Sequence, residues 1–162
     1  MANEVKKQRA KEIYEAYCRM LDARNWKYER KDDKLTVVSG IRGEDLPIKF
    51  VIRINAEMEA VSYISVLPFN VPEDKRIDAA VMVCAANYGL AEGCFDYDIR
   101  DGELMFRLVN SYTGSDTNLS DDLFEEMIML ASGTVDKYND KFLAVIKGTL
   151  SLQQFMNEEY KN

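Results

Sequence analysis

The chain has 162 residues, 47% of them hydrophobic and 10% aromatic, with 21 Lys and Arg against 28 Asp and Glu and a formal net charge of −7. That balance suits a globular domain and excludes an intrinsically disordered chain. An acidic chain also lacks the phosphate-neutralising stripe on which nucleic-acid binding depends, so no nucleic acid is expected as a partner.

Residues 4–23 read as a helix, with Ile13, Tyr14, Tyr17, Cys18 and Leu21 recurring on one face. Its basic residues Lys6, Lys7, Arg9 and Lys11 read as a solvated face. Strand-like segments begin after Trp26. The run Thr36-Val37-Val38 marks one over 34–41. Over 47–55, Ile48, Phe50, Ile52 and Ile54 alternate with Lys49 and Arg53, the pattern of a strand with one buried and one wet face. Residues 60–67 read as the next strand.

Pro72 opens the following helix, with Glu73 and Asp74 in the first turn, where the helix dipole favours negative charge. Ile77, Val81, Cys84, Ala85 and Tyr88 form its expected inward stripe. Gly89 is placed to end it in a left-handed cap. Asp101-Gly102 then predicts a hairpin with a two-residue type I′ turn. That register sets Phe95 opposite Leu108, Tyr97 opposite Phe106 and Ile99 opposite Leu104. On the other face it sets Asp96 opposite Arg107 and Arg100 opposite Glu103. Residues 111–118 read as a long loop. Ser120 is an N-cap followed by Asp121 and Asp122, and Phe124, Met127, Ile128, Ala131, Val135, Tyr138, Phe142, Val145 and Ile146 carry a long apolar stripe. Gly148 ends that helix, and a short helix over 150–158 closes the chain.

The fold class is therefore α+β, in a single domain spanning residues 1–162. An antiparallel sheet of about six strands is packed with helices in the order α-β-β-β-β-α-β-β-α, with a further short helix.

Chemistry is limited first by what the composition lacks. There is no histidine, which removes Ser-His-Asp and Cys-His catalysis and the commonest transition-metal ligand. Cys18, Cys84 and Cys94 form no CxxC pair, and no phosphate-cradling loop is present. No metal and no cofactor are expected. The charged start has no apolar signal core, and no run reaches the ~18 apolar residues of a membrane span. A cytoplasmic protein with reduced thiols is expected.

Asp96, Asp98, Asp101 and Glu103 imitate a calcium loop, but Arg100 takes the fifth position and Asp101 the place of the glycine. Asp116-Thr117-Asn118-Leu119-Ser120 fails in the same way, with Asp121 at the glycine position and Met127 at that of the bidentate Glu. Asp121, Asp122, Glu125 and Glu126 offer the carboxylate pairs that glycosidases use, yet a helix start accounts for them. Cys84 and Cys94 read as small core residues. One helix stands apart: residues 79–86 read Ala-Ala-Val-Met-Val-Cys-Ala-Ala, apolar all round. Either it lies between the sheet and the last long helix, or it presents Ala79, Met82, Val83 and Ala86 to a second subunit or a partner protein.

The segments Val71-Pro72-Glu73-Asp74-Lys75-Arg76, Ala86-Asn87-Tyr88-Gly89-Leu90, Gly93-Cys94-Phe95 and Asp101-Gly102-Glu103-Leu104-Met105-Phe106 resemble, in order and spacing, those of YbjN-type proteins. Asp136-Lys137-Tyr138 and Val145-Ile146-Lys147-Gly148 fit as well, so the resemblance covers roughly residues 35–148. The family is described as bacterial sensory transduction regulators. The resemblance implies a fold like that of type III secretion chaperones, which are small, acidic, commonly dimeric and bind segments of partner proteins without catalysis. It brings no catalytic residues.

A non-enzymatic protein-binding, chaperone-like or regulatory adaptor, homodimeric and without membrane contact, is thus the expected function. The competing expectation is a small-ligand-binding protein or a carboxylate-based enzyme built on the acidic clusters.

Overall fold

The computed structural model describes residues 2–113 and 119–161. The alternating apolar residues become one continuous sheet face. Six antiparallel strands, β1 (Tyr28–Lys31), β2 (Thr36–Arg42), β3 (Pro47–Asn55), β4 (Ala60–Val66), β5 (Cys94–Asp98) and β6 (Glu103–Ser111), lie in the order β1-β2-β3-β4-β6-β5. Four helices, α1 (Ala2–Ala23), α2 (Arg76–Tyr88), α3 (Asp121–Lys147) and α4 (Leu152–Glu159), follow the expected element order. The sequence-based fold class and its sheet of six strands hold.

Ile48, Phe50, Ile52 and Ile54 are buried with Val37, Val61, Tyr63, Leu104, Phe106 and Leu108 on the inner face. α1 and α3 lie on that face. Tyr17 of α1 packs on Phe124 of α3 with ring centroids 4.1 Å apart and donates its hydroxyl proton to the Phe124 carbonyl at 3.1 Å. Tyr63 of β4 and Ser132 of α3 share a buried hydrogen bond of 2.9 Å. Phe95 of β5 meets Tyr138 and Phe142 of α3 at 5.3 and 4.8 Å. Phe142 continues to Phe155 of α4 at 5.9 Å, so one aromatic chain joins sheet, long helix and closing helix. Edge-to-face pairs of this kind add about 0.5–1.5 kcal/mol beyond the area they bury.

The expected ends of α3 are observed. Ser120 accepts the Leu123 N–H, and Gly148 takes the left-handed conformation (φ 76°). α4 starts with a capping box between Ser151 and Gln154. Its buried Glu159 accepts from the Tyr138 hydroxyl at 2.6 Å and from Lys141 Nζ at 3.2 Å. Burial, with that carboxylate beside it, pushes the Tyr138 hydroxyl well above its ordinary pKa.

Two local expectations are corrected. Gly89 ends α2 in a right-handed conformation (φ −91°), not in a left-handed cap. The β5–β6 turn has four residues, 99–102, rather than two, and pairs Phe95 with Phe106 and Tyr97 with Leu104. A type I′ turn needs positive φ at two successive residues. Here Gly102 alone has it (φ 83°), and its N–H bonds the Asp98 carbonyl at 2.8 Å. The Asp98 carboxylate also accepts the Arg100 N–H at 2.9 Å, which stabilises the wider loop. Glycine is required at 102, because a Cβ there would collide with the Val71 carbonyl oxygen. The register shift is two residues, so every side chain keeps its face. Ile99 and Arg100, expected opposite Leu104 and Glu103, leave the ladder and are exposed.

Candidate interaction surface

α2 is oriented opposite to the sequence-based expectation. Ala79, Met82, Val83 and Ala86, the residues offered as a partner or dimer interface, are 2%, 0%, 6% and 0% exposed and pack in the chain's own core. They present no surface to a partner. Of the residues read as the inward stripe, only Ala85 is buried. Ile77, Val81, Cys84 and Tyr88 face solvent, Ile77 at 70% and Tyr88 at 79% exposure.

Two polar anchors account for the rotation. Asn87 bonds the Phe95 backbone in both directions, accepting from its N–H at 2.8 Å and donating to its carbonyl at 2.9 Å. At the other end Arg76 Nη1 donates to the Arg100 carbonyl at 2.9 Å. With both ends held, the small side chains of Ala79, Ala85 and Ala86 lie toward the core, where close approach suits them. The Asn87 amide was the signal available in the sequence. A polar group inside an apolar helix needs partners, and the nearest ladder supplies them.

The exposed residues Ile77, Val81, Cys84 and Tyr88 recur at helical spacing and form a ridge along α2. Tyr88 packs edge-on against Tyr160, just past α4, at 5.4 Å, and Tyr160 is itself half exposed. The surface is thus an apolar ridge ending in a paired-tyrosine knob. Cys84 sits on this ridge and not in the core, which corrects the core reading of that residue. Cys94 is half-buried beside Asp96 and Arg107, and burial raises its thiol pKa.

Two members of each acidic cluster, Asp96 and Asp98 in one and Asp122 and Glu125 in the other, lie in ion pairs. Asp96 binds Arg107 at 2.6 Å, and Asp98 binds Arg100 at 2.6 Å. Arg24, just past α1, reaches Glu125 at 2.6 Å and Asp122 at 3.3 Å on α3. Among the described residues no group of acids and cysteines could hold a metal ion. Asp116, Thr117 and Asn118 lie outside the described residues. The Arg107 guanidinium lowers the Asp96 carboxyl pKa, and side-chain and backbone N–H groups of Arg100 hold Asp98 at about 2. Both shifts run opposite to what a general acid at neutral pH requires. Because the Asp98 pKa is depressed, its contribution to stability is present above the ordinary aspartate range and is lost as pH falls through about 2. An NMR titration of the Asp98 carboxyl is expected to have its midpoint at about 2, moving toward ~3.9 in Arg100→Gln. A midpoint that ignores that substitution would refute the assigned cause.

The fold and this surface define a two-layer α+β protein with an exposed apolar ridge and carboxylates held in their ionised form. The model of the YbjN family, described as "Putative bacterial sensory transduction regulator", matches residues 16–144, and the chain belongs to that family. Among curated proteins nothing matches. No helix among the described residues is long and apolar enough to cross a membrane.

Proposed function

We propose that the chain is a non-enzymatic, cytoplasmic protein-binding adaptor of regulatory or chaperone-like type. Its α2 ridge would receive an apolar segment of another protein. The observation that carries the reading is the exposure of Ile77, Val81 and Tyr88 at helical spacing on a helix whose other side is fully buried. Scattered apolar residues on a surface are ordinary, but a contiguous ridge marks a contact site. The regulator description of the family and the ion-paired state of the acidic residues support the same reading.

The test is quantitative capture of partners from native lysate by the wild type and by Val81→Asp/Tyr88→Asp. Both positions are exposed, so the variant is expected to stay folded. Partners specific to the wild type should fall at least about tenfold, the equivalent of 1.4 kcal/mol. Equal recovery on a folded variant would overturn the role of the ridge.

A further inference from the structure

An open strand edge is a template for pairing, and folded proteins guard theirs with charge, brevity or a covering group. Most of this sheet's edge is guarded. β1 is four residues long and carries Glu29, Arg30 and Lys31. On β5, Asn87 takes both the N–H and the carbonyl of Phe95. The far end of β6 has no such guard. β5 pairs with β6 only from Asp98 opposite Glu103 to Cys94 opposite Arg107, whereas β6 runs on to Ser111. Gly93 takes positive φ (73°) where the next pair would form. Leu90 N–H bonds back to the Asn87 carbonyl, so the chain before β5 follows the end of α2 and not β6.

The register tells which backbone groups are left over. The Leu104 carbonyl accepts from Leu67 and the Tyr112 N–H donates to Glu59, so Leu108 and Asn110 also face β4. Neighbouring residues of a strand direct their backbone groups to opposite sides. Val109 and Ser111 therefore point N–H and carbonyl away from β4. Among the described residues none of these four groups has a hydrogen-bond partner. They line a groove of about 560 Å³, within the ~300–1,000 Å³ range of ligand sites. Its other wall is Leu119 with Leu123, Met127 and Leu130 of α3. Its charged lining residues are Glu92 and Glu126, and neither has an ion-pair partner among the described residues.

We propose that an extended, cationic segment of a partner protein adds to β6 at Val109 and Ser111, in the ladder position that β5 leaves. Its backbone takes up the four free groups. Apolar residues at alternate positions turn to the leucines of the α3 wall, and a lysine or arginine meets Glu92 and Glu126. Main-chain hydrogen bonds give such strand addition its affinity, and the alternate side chains give it specificity. The three requirements have separate sources: the free ladder groups call for extended backbone, the leucines for apolar residues and the carboxylates for a cation. A helical segment would bond its own backbone and leave Val109 and Ser111 unpaired. The site is separate from the α2 ridge and does not depend on it.

The probe is a synthetic peptide about six residues long, the length of a typical strand, in which valine alternates with threonine and lysine. Fluorescence anisotropy reads its affinity, and amide hydrogen exchange followed by NMR locates it. In the free protein the Val109 and Ser111 amides are expected to exchange fast and those of Leu108 and Asn110 slowly. The peptide is expected to protect Val109 and Ser111. The same peptide N-methylated along its backbone keeps its side chains but cannot donate to the edge, and is expected to bind at least about tenfold more weakly. These measurements use the wild type alone.

A peptide with glutamate in place of lysine is expected to bind the wild type at least about threefold more weakly than the lysine peptide, and that order is expected to reverse on Glu92→Lys/Glu126→Lys. Both positions are exposed, and circular dichroism checks the fold of the variant. Val81→Asp/Tyr88→Asp is expected to bind the peptide as the wild type does, so the edge and the ridge fail separately. No saturable binding to the wild type up to millimolar peptide would overturn the proposal. So would equal affinity for the methylated peptide, or protection elsewhere than at Val109 and Ser111. Protection of those two amides that grows with protein concentration in the absence of peptide would give the edge to a second copy of the chain, and would overturn it as well.

Discussion

Met82→Asp is expected to leave no cooperatively folded protein at 25 °C, while Val81→Asp, one residue earlier, is expected to melt close to wild type. Met82 is fully buried, whereas Val81 is 39% exposed. An aspartate at 82 would lose the methionine's packing, worth about 2–5 kcal/mol, and would bury a carboxylate for which the core holds no cation. Small domains have only about 5–15 kcal/mol to lose. At 81 the new charge stays in water and the change is expected within about 0.5 kcal/mol. Urea unfolding followed by near- and far-ultraviolet circular dichroism distinguishes the two. The opposite outcome, with Met82→Asp folded and Val81→Asp unfolded, would mean that α2 is rotated as its periodicity alone suggests.

The second large effect is expected at Phe142. Its ring is fully buried and touches Phe95 at 4.8 Å, Tyr138 at 5.5 Å and Phe155 at 5.9 Å. Phe142→Ala removes the side chain that joins β5, α3 and α4, leaves a cavity and is expected to cost about 3–5 kcal/mol. A loss below about 1 kcal/mol in urea titration would show that the site collapses and that the aromatic chain contributes little.

The two substitutions mark where sequence reading succeeds and where it stops. Phe142 belongs to a stripe on an amphipathic helix with a polar back, and its burial follows from spacing alone. The same holds for Tyr14 and Tyr17 on α1 and for the Ile48–Ile54 alternation on β3, all of which are buried. Met82 lies on a helix with apolar residues on every side. Periodicity there offers two stripes of nearly equal merit, and the one chosen from the sequence faces solvent. Two hydrogen bonds between the Asn87 amide and the Phe95 backbone, one donated by each, decide between them. The outer sheet face was legible only in part. β3 and the β5–β6 hairpin showed their alternation, but which strands lie side by side on that face is set only once β6 is placed beside β4.

By itself the sequence determined the element order, the antiparallel sheet, the inner faces of β3 and of the β5–β6 hairpin, and both ends of α3. Each of these depends on residues close together in the chain: alternation, helical spacing, a serine N-cap and a glycine with left-handed backbone. Tertiary structure alone decided the rotation of α2, the four-residue β5–β6 loop and the ion pairs of Asp98 with Arg100 and of Arg24 with Glu125. In each case the deciding group is a partner distant in the chain or a competing local hydrogen bond of similar strength. Asp98 illustrates both sides. Its alternation placed it on the outer face, but only the folded loop set Arg100 against its carboxylate and fixed the width of the turn.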